Sequence, residues 1–188
     1  MIRKLFTLLW LLFPVAVLTY HFNAGPRQVL HEKARHHVEE IRKLEQAKEP
    51  DWGTIMEEYD KLLGELPKDE DLLVLHEINL AKSKARLEEL DVAGAIDDLT
   101  ALLQECAIAH GEDAPITRAA RETLGKAQYY ATYLLKTNGA AEEEWRPYAE
   151  RTRQIFRFLA EHQEPAALAQ YEQRVQAELE KTVEKRSH

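Results

Sequence analysis

Apolar residues along most of this chain recur three and four positions apart, without sustained alternation, and that period predicts helices and no strands. The clearest stretch is 52–66. There Trp52, Ile55, Met56, Tyr59, Leu62, Leu63 and Leu66 fall on one face, Asp51 stands where an N-cap belongs, and Gly64 and Pro67 mark the end. A helix over 70–90 follows, opened by Asp69, with Leu72, Leu73, Leu75, Ile78, Leu80 and Leu87 among its apolar positions. Asp91 caps a helix over 92–109, whose face is Ala95, Ile96, Leu99, Leu102, Leu103 and Cys106. After the loop HGEDA, a long helix runs from Pro115 to Thr137, and Asn138-Gly139 closes it. The pattern resumes over 140–162, where Pro147 is expected to interrupt or restart the helix. A last helix spans 166–183, with Leu168, Tyr171, Val175 and Leu179 on its stripe.

The N-terminal end departs from this amphipathic pattern. Arg3 and Lys4 are followed by a stretch without charge from Leu5 to Tyr20, and Phe22 extends it. About 18 apolar residues approach the length needed to cross roughly 30 Å of hydrocarbon. Small residues suited to cleavage are poorly placed at its end, so an uncleaved signal anchor is expected. The two cations set its orientation by the positive-inside rule, with the N-terminus cytoplasmic and the rest across a bacterial inner membrane, in the periplasm. Pro26 then opens a polar helix with Val29, Ala34, Val38, Ile41 and Leu44 on a moderate stripe. The expected organisation is a cytoplasmic end at 1–4, a transmembrane helix at 5–22, a juxtamembrane helix at 23–49, a helical domain at 50–165 and a C-terminal capping helix with a frayed tail at 166–188.

Charge narrows the function. The 188 residues carry a formal net charge of −8; residues 1–20 hold two cations and no acid, so the remainder stands at −10. That balance excludes broad nucleic-acid binding. The single cysteine, Cys106, lies in an apolar helical pattern and reads as a small buried hydrophobe.

Two stretches match at an offset of 40 residues, DWGTIMEEYDKLLGE at 51–65 and DVAGAIDDLTALLQE at 91–105. Each begins with a capping aspartate and presents the same face, with one helix between them, as in a repeated helical hairpin. The run LDVAGAIDDLTALL, 90–103, resembles the turn and second helix of a tetratricopeptide repeat: Ala95 matches its small contact residue, Leu99 its large packing residue and Leu102 the next position on the face. Tyr59, Leu62 and Pro67 match in the earlier copy. The family's spacing is about 34 residues, however, and its aromatic and glycine positions are poorly kept in 70–90.

The resemblance implies an all-α solenoid that binds peptides or protein surfaces on a concave face made by the first helix of each hairpin. Those helices offer Asn79, Lys82 and Arg86 on one, and Arg118, Arg121, Gln128 and Tyr129 on the other, as a basic and amide-rich strip suited to an acidic segment or a carboxylate terminus.

His21, His31, His36 and His37 crowd the stretch after the apolar run, but no H-x-x-x-H pair sets two of them on one helix face. No metal site, haem attachment motif, phosphate loop or catalytic motif is recognisable. The sequence therefore leads to a non-enzymatic, membrane-anchored adaptor or scaffold, with no cofactor and no small-molecule substrate, held to lipid by one helix and engaging a protein partner. The alternatives are an integral accessory subunit of a larger membrane complex, and a histidine-dependent metal- or haem-associated assembly factor.

Overall fold

The structure, a computed structural model, describes residues 25–66 and 71–162, with Gln173 and Ala177 beyond them. Six helices make up the described part: α1 (Gly25–Glu45), α2 (Trp52–Glu65), α3 (Leu72–Glu88), α4 (Val92–His110), α5 (Pro115–Thr137) and α6 (Glu142–His162). Each packs on its neighbour in sequence, and α3 also reaches α5.

The caps follow the sequence. The Asp51 side chain accepts from the Thr54 N–H at 3.2 Å, and Asp91 accepts from the Gly94 N–H at 3.1 Å, so α2 and α4 begin in the same way. Asp71, rather than Asp69, caps α3 by accepting from the Leu73 N–H at 2.9 Å. The ends are equally local. Leu90 takes a left-handed φ of 61°, which lets the Asp91 N–H bond the Arg86 carbonyl at 3.0 Å. Gly139, with φ 75°, does the same after α5, where the Ala140 N–H reaches the Leu135 carbonyl at 3.0 Å. A side chain in that conformation costs about 1–2 kcal/mol; at Leu90 that cost is set against packing on the main core.

Two cores result. One joins α1, α2 and α3 through Ile41, Ile55, Tyr59, Leu62, Ile78 and Ala85. The Tyr59 hydroxyl donates to the Glu45 carboxylate at 2.8 Å and ties α1 to α2. The larger core gathers Leu87, Leu99, Leu102, Cys106, Ala120, Leu124 and Tyr130 from α3, α4 and α5, and Tyr148 and Ile155 of α6 pack against it.

Several expectations are corrected. Pro147 does not break the last described helix, because α6 runs through it from Glu142 to His162. Only five residues precede the proline in α6, so it removes a single backbone bond close to the helix start. The proposed anchor at 5–22 lies outside the described residues. Among the described residues no helix is long and apolar enough to cross a membrane. The helix that follows the apolar run, α1, is dominated by charged and histidine side chains. The fold that the structure supports for the described residues is thus an all-α arrangement of six packed helices, without the expected transmembrane helix or repeat solenoid among them. Nor are the hairpins copies of one another: the helices from α2 to α5 lengthen from 14 to 17, 19 and 23 residues. A tetratricopeptide array needs equal units whose faces stack in register, and this progression removes that register. The expected C-terminal capping helix at 166–183 falls outside the described residues apart from Gln173 and Ala177, both helical.

Candidate functional site

α3 and α5 touch directly, and a cleft of about 600 Å³ opens between them where the end of α4 turns into α5. Its α3 wall is Leu73, Glu77, Leu80, Ala81 and Lys84, residues spaced by three and four that share one helical face. The other side is made by Ala114, Pro115, Ile116 and Ala119, and His110 stands at the turn. Pro115 starts α5 without a side-chain cap, and the Thr117 hydroxyl fixes the preceding loop by donating to the Gly111 carbonyl at 2.8 Å. The walls are apolar. Glu77 and Lys84 are exposed, two turns apart along α3, about 10 Å.

Behind the wall lies a histidine pair. His76 is 5% exposed, and its Nδ1 is 3.0 Å from Nε2 of His110, with the rings edge to face at 5.1 Å between centroids. On the other side, His76 Nε2 is 3.7 Å from the Glu105 carboxylate. Burial holds the His76 imidazole below its ordinary value, His110 adds to the effect, and Glu105 opposes it. The pairing joins residues 34 apart in sequence, which no local motif discloses.

The strip expected to meet a partner is largely occupied within the molecule. Asn79 donates to the Leu75 carbonyl at 2.9 Å, and Lys82 pairs with Asp60 of α2 at 2.5 Å. Arg86 lies 3.5 Å from Asp91 and 3.2 Å from Asp98. Arg121 is buried, bonds the Glu112 carboxylate and lies 4.2 Å over the ring of Phe158. Gln128 is 3% exposed and its Oε1 is unpaired. Tyr129 packs against the main core, and Arg118 is exposed. The structure brings Lys82 and Arg86 onto neighbouring turns of α3 but does not join them with the α5 residues in one open strip.

Of the N-terminal histidines, His21 lies outside the described residues. His37 bonds Glu58 of α2 at 2.9 Å and approaches Glu65 at 3.6 Å, while His36 reaches Glu40 at 3.5 Å. Among the described residues no group of three or more His, Cys, Asp or Glu side chains is placed to hold a metal ion.

No family model matches the chain, and neither a curated protein nor a solved structure matches it. The resemblance to tetratricopeptide repeats is accordingly corrected to local likeness in helix caps and faces. Among the described residues there is neither a spanning helix nor a metal-ligand cluster, and no family model supports a repeat face, so the membrane-anchored adaptor, the complex subunit and the histidine-dependent assembly factor are left without the features they needed. The inner-membrane placement and the lipid and protein partners inferred from that layout lose their support in the same way.

Proposed function

We propose that this chain is a non-catalytic binding domain whose α3–α5 cleft holds a small amphiphile, an apolar body carrying one anionic group. The observation that supports this is the composition of the cleft: apolar walls from Leu73, Leu80, Ala81, Ile116 and Ala119 with few polar groups at the margins. That combination is typical of small-ligand sites. Lys84 has no ion-pair partner among the described residues, so its ammonium is open to an anionic head. Glu77, two turns away, repels an anion and sets the ligand's direction. The lining has no thiol, and Cys106 is fully buried with its thiol raised by burial, so no reactive thiolate faces the space.

The test is binding of 1-anilinonaphthalene-8-sulfonate to the full-length chain, followed by fluorescence, with displacement by decanesulfonate. Ala119→Trp fills the cleft and is expected to abolish displaceable binding. Lys84→Glu is expected to weaken it about tenfold or more, as for one like charge replacing an opposite one. Unchanged binding in both variants would overturn the proposal, since the dye would then be on the exposed apolar residues Leu72, Val74 or Ile108.

A further inference from the structure

The large apolar side chains left exposed among the described residues are not scattered. Leu72, Leu73 and Val74 open α3 and are 54%, 39% and 37% exposed. Ile108, 80% exposed, stands close to the end of α4. The contact of His110 with His76 puts that end of α4 beside the second turn of α3. Four of the five such residues therefore sit at one end of the bundle, and the fifth, Leu44, lies at the opposite end of α1. A single exposed hydrophobe needs no explanation, but three in succession at a helix start do.

The chain enters at this same end. α1 and α2 are antiparallel, since His37 bonds Glu58 and approaches Glu65 while Tyr59 donates to Glu45. α3 runs back along α2, with Lys82 paired to Asp60. Gly25 lies about 18 Å along α1 from His37, and Leu72 about 15 Å along α3 from Lys82, both toward the same end. The first residue of α1 therefore emerges within about one helical turn of the level of the exposed leucines. Just before it in sequence stands the uncharged run from Leu5 to Tyr20, extended by Phe22. Even as a helix, the residues from Leu5 to Gly25 span about 30 Å. That is enough to cross the end of the bundle at helix spacings of about 8–10 Å.

From this placement we infer that the apolar run Leu5–Phe22 folds back on its own chain and docks on the exposed first turn of α3. The inference does not depend on what the cleft binds. Charge favours the chain's own segment as the occupant. Asp71, Glu77, Glu112 and Asp113 are exposed at this end of the bundle, and the only charges ahead of the run are the cations Arg3 and Lys4. An acidic rim attracts those cations and is repelled by an anionic lipid surface. The tether favours it as well. A run joined to Gly25 meets this surface at an effective concentration of about millimolar, well above that of a second copy in dilute solution.

The test is photo-crosslinking in the full-length chain, with p-benzoylphenylalanine in place of Phe13, in detergent-free buffer. Crosslinks within one chain to Leu72, Leu73 or Val74 are expected, mapped by mass spectrometry of the monomer. They are expected to persist when vesicles of phosphatidylcholine with phosphatidylglycerol are added. Leu72→Glu combined with Val74→Glu alters only exposed side chains, so the helical circular dichroism is expected to be unchanged. The crosslink yield is expected to drop about tenfold, because two apolar contacts are lost and two charges face the run. An unchanged yield in that variant would overturn the inference, since tethering alone would then bring the run to α3. Absence of crosslinks to 72–74 would overturn it too. Crosslinks only between chains would identify a second copy as the occupant, and crosslinks that pass to lipid when vesicles are added would identify a bilayer; either result also overturns it.

Discussion

Gly125 on α5 lies against the ring of Phe156 on α6, so close that a Cβ added to the glycine would stand 2.8 Å from Cε1 of that ring and 2.9 Å from Cγ2 of Ile155. The absent side chain is what allows α5 and α6 to approach there. Gly125→Ala gains helix propensity of up to about 1 kcal/mol, but overpacking costs about 1–3 kcal/mol. The expected net result is a lower urea midpoint. Adding Phe156→Leu to Gly125→Ala is expected to cost less than the sum of the two single changes, because the shortened side chain relieves part of the crowding while Ile155 still stands against the added methyl.

Arg121 gives a second prediction. Its guanidinium is buried, bonded to Glu112 and stacked on Phe158. Arg121→Lys keeps the charge but loses the fork and the flat stacking surface. A loss of about 1–2 kcal/mol is expected in denaturant titration, less than for a fully buried pair because Glu112 is open to solvent. Glu112→Gln, which keeps an acceptor beside the guanidinium, is expected to cost less than Arg121→Lys.

Cys106 is fully enclosed, and burial pushes its thiol up, with Glu105 adding to the rise. Both effects suppress the thiolate that reacts. The folded chain is therefore expected to resist a disulfide reagent at neutral pH and to react at a rate set by unfolding. Prompt stoichiometric labelling of the native chain would contradict this.

His76 predicts an acid-side weakness. Its folded value lies below the ordinary 6.5, chiefly through burial. Between the lowered value and 6.5 the unfolded chain binds more protons than the folded one, so the contribution of this group to stability is complete above that window and is lost as pH falls through it. Urea midpoints measured at about pH 8 and about pH 5 are expected to differ less in His76→Gln than in the natural chain.

The sequence shows some of these features and hides others for a consistent reason. Asp51, Asp91, Pro115 and the Asn138-Gly139 end act on backbone within a few residues, and the helices begin and end where they indicate. Pro147 misleads because its effect depends on how near it lies to a helix start. Arg121 and Gln128 read as open surface but are buried, because α5 is covered by α3, α4 and α6 together and its buried face is far wider than one stripe. His76 carries no local signal, since its partner His110 is brought in only by packing. The cleft is likewise invisible along the chain, as it exists only once α3 meets α5.

The order in which the helices pack also bears on how the chain assembles. With almost every interface joining sequence neighbours, little loop entropy must be spent before contacts form, and rapid folding follows. Among the described helices the α3–α5 contact is the main departure from this, bridging the whole of α4. Amide exchange should therefore be slowest in α3, α4 and α5, where three helices protect one another, and fastest in α1, which rests on α2. The cleft and the histidine pair thus belong to the part of the molecule that opens last, so a ligand that enters the cleft from its open side does so without the undocking of an end helix.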